Sequence, residues 1–182
     1  MYRKCATEHS VRKQRMLENT LLELMLKMPY EDISVTRICQ EAEVSRRIFY
    51  HLFGSKQGAL LGLIDHRIMD LEGFRTELPD QALRFFLFWK SQSQLLDALR
   101  TNHLEAVLME RMMGNLLREG YDVWRWLQAE DPENRQEILV FNLCGIMGLV
   151  FKWHASGYQK EAEQMAVLIA ELMQKPLAKQ EL

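Results

Sequence analysis

Few residues in this sequence break or cross-link the chain. Its 182 positions include only three cysteines, four prolines and nine glycines. The scarcity of glycine and proline excludes collagen-like and linker-rich chains, and it disfavours a β-sandwich, which needs many tight turns. The cysteines, Cys5, Cys39 and Cys144, are odd in number and widely spaced, so neither a disulfide framework nor a zinc site is predicted. We expect long helices in a reducing compartment, with no metal and no cofactor.

Long apolar runs are also missing. The N-terminal residues lack the apolar segment of a signal peptide. The most apolar window, residues 138–151, is 14 residues long, whereas about 20 are needed to span a bilayer. The content of 48% hydrophobic and 26% charged residues suits a folded core, and the length fits one compact domain or two small ones. A cytoplasmic protein without membrane contact is predicted.

The charge is distributed unevenly along the chain, although the formal net charge is only −2 at pH 7. Residues 1–60 hold 10 basic and 7 acidic side chains, and residues 61–182 hold the other 13 and 18. A basic head, residues 1–60, therefore precedes an acidic body, residues 61–182. This arrangement is expected when only the head meets a polyanion such as nucleic acid.

Apolar residues at helical spacing predict three helices in the head. The first runs from Ser10 to Met28 before Pro29, with an apolar face listed as Leu17, Leu21, Leu24 and Met28. Ser34 can cap a second helix with Val35, Ile38 and Ala42 turned inward, and Ser45 can cap a third that contains Ile48, Phe49 and Leu52. Only Ala42, Glu43 and Val44 separate the last two. So tight a connection favours a near-perpendicular crossing, which is a helix-turn-helix.

The body shows helical patterns and no segment typical of a strand. Ser55 can cap a fourth helix that runs to about Glu72, and Pro79 and Asp80 open another. Further helices are predicted at residues 81–100, 103–118, 134–156 and 160–174, whereas Gly120 makes residues 119–130 uncertain. The prediction is an all-α protein of eight or nine helices. Its helix-turn-helix domain, residues 1–60, precedes a second helical domain, residues 61–182, to which the family resemblance described below assigns ligand binding and dimerisation.

The most specific segment is residues 34–56, SVTRICQEAEVSRRIFYHLFGSK. It combines a capped helix, a Val-Ser turn, a Tyr-His pair, a Phe and a Ser-Lys that opens the next helix. In order and spacing it resembles the helix-turn-helix of the TetR family of bacterial transcriptional regulators, and the resemblance extends over residues 10–65. It implies a non-enzymatic repressor that binds double-stranded DNA as a homodimer on a palindromic operator, because one helix touches too few base pairs.

The family pattern assigns roles to individual residues of the head. The helix from Ser45 would lie in the major groove, with Arg46 and Arg47 reading bases and Ile48 meeting a thymine methyl. Phe49, Leu52 and Phe53 would face the core. The residues that match family positions holding phosphates are Tyr50, His51, Ser34, Thr36 and Lys56. Without the match to the family in order and spacing, a serine-capped helix with two arginines is also typical of an ordinary solvent-exposed surface.

Three residues depart from the expected pattern. Glu43 stands where the family usually has glycine in the turn, so it is strained if the position needs a positive φ, and it adds a negative charge near the groove. Arg47 also replaces a frequent glycine and would offset that charge. Gly58, near the start of the fourth helix, lowers helix propensity by about 1 kcal/mol relative to alanine.

The predicted dimer surface lies on the last two helices. Residues 141–173 resemble the C-terminal domain of a TetR subgroup that includes regulators of dihydroxyacetone kinase operons, and the family pairs through its last two helices. Gly145 and Gly148 leave helix backbone exposed for the close approach of another helix. The other candidate interface residues are Phe141, Leu149, Lys152, Trp153, Met165, Leu168, Ile169 and Leu172. Alternatively, these helices pack only within their own domain.

The body is also rich in methionine and aromatic residues, which suit an adaptable apolar cavity. TetR-like proteins bind an effector in this region. The candidate ligand-binding residues are Trp89, His103, Met109, Met112, Trp124, Met147 and Phe151. The alternatives are an ordinary core for the apolar residues and a simple helix break for His103.

Two functions from different classes follow. The first is a DNA-binding regulator controlled by a small-molecule effector. The second is a TetR-like coactivator or adaptor whose signal comes from a protein partner, as occurs in the subgroup that residues 141–173 resemble. An enzyme is disfavoured because the sequence has no Glu-x-x-His pair, no glycine-rich phosphate loop and no nucleophile elbow.

Overall fold

The computed structural model describes Tyr2 and residues 7–69, 80–116 and 133–174. These ranges contain nine α-helices, one short 3-10 helix at Tyr30–Asp32 and no strand, which confirms the all-α prediction. The helices are α1 Glu8–Met25, α2 Val35–Glu41, α3 Arg46–Phe53, α4 Lys56–Met69, α5 Asp80–Ser91, α6 Ser93–Thr101, α7 Glu105–Leu116, α8 Arg135–Ala155 and α9 Ala162–Gln174. Residues 119–130, which the sequence left uncertain, lie outside the described residues.

Serine caps fix the starts of α2, α3 and α4, as predicted. The hydroxyl oxygens of Ser34 and Ser45 accept hydrogen bonds from the amides of Arg37 and Ile48 at 3.1 and 3.4 Å. Ser55 accepts one from the Gly58 amide at 3.0 Å. Each cap satisfies a backbone donor that the first helical turn leaves without a partner.

The predicted limits of α1 need correction. The helix begins at Glu8 rather than Ser10, because the side chain of Thr7 accepts the amide hydrogen of Ser10. It ends at Met25 rather than Met28, since the amides of Lys27 and Met28 both turn back to the Leu24 carbonyl. Proline therefore does not end the helix; the chain leaves it one turn earlier. Three residues of the predicted core face, Leu17, Leu21 and Leu24, are fully buried, whereas Met28 lies beyond the helix and is half-buried.

The predicted helix at residues 81–100 is divided in two. α5 ends at Ser91, whose hydroxyl donates to the Phe88 carbonyl, and the amide of Gln92 is shared between the carbonyls of Phe88 and Trp89. α6 then starts at Ser93. Side-chain competition of this kind with the helix ladder is a known tendency of serine, and it interrupts an otherwise continuous apolar pattern.

The chain folds as two compact units, neither of which is a single stretch of sequence. The first unit consists of Met1–Asp70 and Gln94–Met112, and the second of Leu71–Ser93 and Met113–Leu182. Almost all of α6 and the larger part of α7 therefore belong with the helix-turn-helix. The predicted division after residue 60 falls inside α4.

In the first unit, α1 packs against α2 and α4, and α3 packs against α2 and α4. The buried side chains that fill this core are mainly aliphatic and phenylalanine residues from all four helices. The tight packing explains the unusual Gly58 near the start of α4. A Cβ atom at this position would collide with the carbonyl oxygen of Phe53.

In the second unit, α5 packs against α8 and α9. The Trp153 ring lies against the rings of Phe86 and Tyr158, with centroids 5.5 and 4.7 Å apart, and its indole N–H donates to the Lys160 carbonyl at 2.7 Å. The predicted break after α8 is confirmed at Gly157, where φ is +68°. Among the described helices, α8 is the one long and apolar enough to cross a membrane by length and composition, although 39% of its apolar window is buried inside the protein.

The contact at Gly58 leads to a stability prediction. We expect Gly58→Ala to lower the free energy of unfolding by about 2 kcal/mol, because the new methyl group would have to displace the backbone at Phe53. Gly114→Ala is a matched control in α7, where nothing lies within 4 Å of the new methyl, and it should raise the free energy by about 0.5 to 1 kcal/mol. Urea unfolding followed by circular dichroism measures both. Equal effects of the two substitutions would contradict this explanation.

Candidate nucleic-acid interface

Helix α3 has one buried face and one exposed face. Phe49 and Phe53 are fully buried, and Leu52 is nearly so. The side chains of Arg46, Arg47 and His51 are exposed, Tyr50 is 46% exposed and Ile48 is half-buried. The predicted core positions and the exposed positions of the arginines, Tyr50 and His51 are therefore confirmed, whereas Ile48 is less exposed than a base contact requires of a surface residue. The two arginines form no ion pair among the described residues, so their guanidinium groups are available to a ligand.

The turn between α2 and α3 is a Schellman motif. The amide of Val44 donates to the Cys39 carbonyl at 3.0 Å, and the amide of Glu43 donates to the Gln40 carbonyl at 3.3 Å. Cys39 and Val44 are both buried, which is the apolar contact that accompanies this motif. Glu43 occupies the left-handed position with φ of +51°. The suspected requirement for a positive φ is thus real, and a side chain there is strained by about 1 kcal/mol or more.

The residues predicted to hold phosphates are partly engaged within the protein. The hydroxyl oxygens of Ser34 and Ser45 accept backbone amides, which leaves each O–H free to donate to a phosphate oxygen. Thr36 and Tyr50 are exposed on α2 and α3. The phosphate contacts of these residues stay predictions.

Lys56 has a structural task that the sequence did not indicate. Its ammonium group donates to the carbonyl oxygens of Tyr30 at 2.6 Å and Glu31 at 3.1 Å, and it lies 4.4 Å from the centroid of the Tyr30 ring. Burial lowers the pKa of Lys56, while the neighbouring Glu31 and Asp32 act against that shift. Two of its three donors are occupied, so at most one remains for a phosphate. The side chain mainly ties the start of α4 to the 3-10 helix.

A second tie connects this 3-10 helix to the turn between α6 and α7. The side-chain oxygen of Asn102 accepts the amide hydrogen of Tyr30, and its amide group donates to the carbonyls of Met25 and Ala98 at 3.1 and 2.7 Å. Asn102 therefore caps the end of α1 as well as ending α6. Asn102 is thus a backbone link within the first unit.

The far end of α4 is held by a buried ion pair. Asp65 is 6% exposed and forms a two-pronged contact with the Arg111 guanidinium of α7, in which Nε lies 2.7 Å from Oδ1. The hydrogen bond to Asp65 raises the pKa of Arg111. Burial, and then the charge of Asp65 and a hydrogen bond to it, raise the pKa of Tyr2. A paired arginine and a neutral tyrosine hydroxyl thus compensate the buried carboxylate.

The residue next to Asp65 connects α4 to α1 instead. His66 Nδ1 lies 2.8 and 3.0 Å from the two carboxylate oxygens of Glu18, which is 1% exposed. Arg15 lies 3.6 Å from the same carboxylate. Sequence reasoning missed these charged residues, because a single chain does not show which distant charges meet. The only local signal was Glu18 itself, an acidic residue one position after the apolar Leu17.

The predicted dimer residues divide into two groups. Phe141, Gly145, Gly148, Lys152 and Leu172 are exposed, and Leu149 and Leu168 are half-buried. Trp153, Met165 and Ile169 are each less than 5% exposed, so they are core residues of the second unit, as the alternative interpretation allowed. Only the first group offers a free surface for another molecule.

The predicted ligand-binding residues are not brought together within one unit. His103, Met109 and Met112 belong to the first unit, and Trp89, Met147 and Phe151 to the second, while Trp124 lies outside the described residues. His103 is exposed in the turn after α6 with φ of +55°, so it ends a helix. Trp89, Met112 and Met147 are buried, whereas Met109 and Phe151 are half-buried.

The site can bind a polyanion and read bases. The exposed face of α3 carries two guanidinium groups on consecutive residues, and each can pair with both acceptors of a guanine edge. Exposed serine, threonine and tyrosine hydroxyls on α2 and α3 can donate to phosphates. Helix α2, a tight turn and the basic helix α3 follow one another in the chain and pack together. This arrangement defines a helix-turn-helix DNA-binding domain.

Comparison with known families identifies this domain. Residues 19–62 match the family described as bacterial regulatory proteins, tetR family, and the match runs from α1 through α3 into α4. No curated protein matches the chain significantly. Residues 19–62 thus carry the N-terminal helix-turn-helix of the TetR family, a DNA-binding domain of bacterial regulatory proteins.

The strained turn gives a prediction that separates conformation from charge. We expect Glu43→Gly to raise the free energy of unfolding by about 1 kcal/mol, because glycine adopts the left-handed conformation without steric cost. It should also raise DNA affinity severalfold at low salt, since a negative charge near the phosphates is removed. Urea unfolding and fluorescence anisotropy with duplex DNA measure the two effects. Glu43→Gln is the control, and it should raise the affinity but not the stability.

Proposed function

We propose that the protein is a homodimeric, cytoplasmic bacterial repressor that binds a palindromic operator and responds to an effector received by its C-terminal region. The observation that carries this proposal is the pair of exposed guanidinium groups of Arg46 and Arg47, which form no ion pair within the described part of the chain, on a helix whose other face is buried. Because that face is packed in the core, α3 cannot rotate about its axis to turn the arginines inward. They are the natural base readers, with Ile48 against a thymine methyl and Tyr50 and His51 near the backbone.

The homodimer is supported by the second unit. Two recognition helices are needed to read enough base pairs, and a two-fold pair of proteins matches the two-fold symmetry of a palindrome. The second unit exposes large apolar side chains at Phe141, Val167 and Leu172, which are 77, 56 and 54% accessible. Pairing of two copies through this unit would remove these side chains from water.

The effector is supported by one buried donor. Trp89 is 1% exposed, and its indole N–H has no acceptor among the described residues. A buried donor without a partner costs about 1 to 3 kcal/mol, so an oxygen atom of a small molecule would be stabilised there. The effector would bind more tightly to a conformer of the dimer that does not fit two successive half-sites of the operator. The loss of operator binding free energy cannot exceed the difference between the effector's binding free energies for the two conformers.

The resemblance of residues 141–173 to regulators of dihydroxyacetone kinase operons suggests both the candidate effector and the alternative. In this subgroup the signal can come from a protein partner instead of a small molecule. Dihydroxyacetone is a suitable probe because its carbonyl and hydroxyl oxygens can accept the Trp89 N–H. A protein that co-purifies and controls DNA binding would favour the adaptor function.

DNA recognition is tested with the two arginines. Duplexes are selected from a random pool by the purified protein, and the selected sequence is expected to be a palindrome. We expect Arg46→Ala and Arg47→Ala each to lower affinity for the selected duplex by about 10-fold to 100-fold at about 150 mM salt, because one bidentate base contact is lost. Affinity for random DNA should fall much less.

A charge-matched control is Arg84→Ala, which removes an exposed arginine from α5. It should leave binding of the selected duplex unchanged. The proposal of sequence-specific binding fails if the unaltered protein binds random and selected duplexes equally. A loss of helix content in the Arg46 or Arg47 variants would instead contradict their exposed positions.

The effector is tested at Trp89. We expect dihydroxyacetone to change the intrinsic tryptophan fluorescence and to weaken operator binding. Trp89→Phe keeps an aromatic ring in the core but removes the donor, so operator binding should persist while the response to dihydroxyacetone disappears. An unaltered response in Trp89→Phe would show that the effector contacts other residues.

A further inference from the structure

The connection between α1 and α2 has little apolar packing of its own. None of the side chains from residue 26 to residue 32 is buried, and the structure describes all of these residues. The nearest buried side chains on either side are Met25, which is fully buried, and Ile33, which is 1% exposed. The hydrophobic effect therefore fixes the two ends of the connection but not the residues between them. The position of those residues depends on polar contacts.

A single side chain, Asn102, joins this connection to α6. Its carbonyl oxygen accepts the amide hydrogen of Tyr30, and its amide nitrogen donates to the carbonyl oxygens of Met25 at 3.1 Å and Ala98 at 2.7 Å. A primary amide has two donor hydrogens and one acceptor oxygen, so every polar group of this side chain is used. Neither a carboxylate nor an alanine side chain could make the same set of contacts.

The backbone of Tyr30 is held from two sides. Asn102 accepts its N–H, while Lys56 donates to its carbonyl oxygen at 2.6 Å. Lys56 stands at the start of α4 and Asn102 in the turn after α6, so two separate helices determine where Tyr30 lies. Ser34, which caps α2 and is proposed to donate to a phosphate, follows Tyr30 by only four residues. A displacement of Tyr30 is therefore passed on to the start of α2.

The turn that carries Asn102 is itself closely fixed. The amide of Leu104 donates to the Leu99 carbonyl at 2.8 Å, and the amide of His103 donates to the Arg100 carbonyl at 3.1 Å, which is a second Schellman motif. His103 takes the left-handed position with φ of +55°, an unfavourable conformation for a residue with a Cβ atom. Such strain persists where neighbouring contacts hold the backbone in place. The Asn102 side chain is thus preorganised for its contacts.

We propose that Asn102 is a positioning residue for DNA binding. It holds the α1–α2 connection so that α2 and its cap, Ser34, can contact the phosphate backbone while α3 enters the major groove. Phosphate contacts fix the register of a protein on the duplex, so a displaced α2 weakens binding even when α3 is intact. This role rests on the proposed DNA contacts of α2 and α3, and it adds a determinant that lies outside the helix-turn-helix.

Two substitutions of Asn102 test this role. We expect Asn102→Ala to lower affinity for the selected duplex by about 10-fold, which corresponds to one phosphate hydrogen bond. The dependence of this affinity on salt should not change, because no cationic side chain is removed. Asn102→Asp should bind at least as weakly, since its carboxylate has no hydrogen to donate to the carbonyls of Met25 and Ala98. Fluorescence anisotropy at several salt concentrations measures these effects.

Leu108→Ala is the matched control for a general loss of stability. Leu108 is fully buried in α7 within the first unit, so its truncation should lower the melting temperature at least as much as Asn102→Ala does. At a temperature at which all variants are folded, Leu108→Ala should bind the selected duplex as tightly as the unaltered chain. Equal losses of affinity in the two variants would show that Asn102 acts only through stability, and would overturn the proposal.

Amide hydrogen exchange locates the effect within the chain. In Asn102→Ala the amide of Tyr30 should lose its protection, while the amides of α4 keep theirs, because only the connection is released. Loss of protection throughout α1 to α4 would contradict a positioning role. So would an unchanged affinity of Asn102→Ala for the selected duplex.

The test does not depend on operator recognition. Each variant is compared with the unaltered chain on one and the same duplex, so the comparison stays valid if that duplex is bound no better than random DNA. In that event the proposed operator recognition would fail, whereas the role of Asn102 in DNA binding would still be decided by the comparison.

Discussion

Burial of the aromatic face of α3 is the constraint on which the DNA-binding surface depends. The helix has only eight residues, too few to be stable alone, so its position is fixed by Phe49, Leu52 and Phe53 in the core of the first unit. Their neighbours in the sequence, Arg46 and Arg47, are exposed as a direct result. Apolar packing on one side of α3 thus determines that the polar side chains on its other side point toward solvent.

The packing of α3 is reinforced by ties on both ends of α4. Lys56 and Asn102 both hold the backbone of Tyr30, one from the start of α4 and the other from the turn after α6. At the other end, Asp65 pairs with Arg111 of α7 and His66 pairs with Glu18 of α1. Each buried carboxylate has a cationic or hydrogen-bonding partner, which is what makes its burial tolerable. Together these ties place α6 and most of α7 in the same unit as the helix-turn-helix.

The sequence was sufficient for features that depend on local chemistry. The serine caps at 34, 45 and 55 follow from neighbouring residues. The buried and exposed faces of α3 and the strained turn at Glu43 were predicted from the resemblance of this segment to the TetR family. The interruption of α5 and α6 was missed because the apolar spacing continues through Ser91, and only the hydroxyl contact reveals the break. Gly58 was noticed as unfavourable for a helix, but its reason, the carbonyl of Phe53, belongs to a different helix.

Features that join distant parts of the chain could not be predicted. Nothing near Asp65 in the sequence points to Arg111, 46 residues later, and nothing near Tyr30 points to Asn102. For the same reason the predicted ligand residues were grouped by composition, although they are distributed over two units. The predicted dimer surface stays a prediction. It combined exposed residues such as Phe141 with Trp153, which is a core residue here.

The discontinuous make-up of the first unit bears on how such regulators diversify. A helix-turn-helix exchanged between relatives as a segment ending at Met69 would leave the Asp65 carboxylate without its guanidinium and the Tyr30 amide without its acceptor. The segment that could be exchanged without loss of these contacts is therefore larger than residues 19–62, the segment that matches the family. Any change in the helix-turn-helix must remain compatible with its contacts to α6 and α7. The evolution of DNA recognition is therefore linked to the evolution of these two helices.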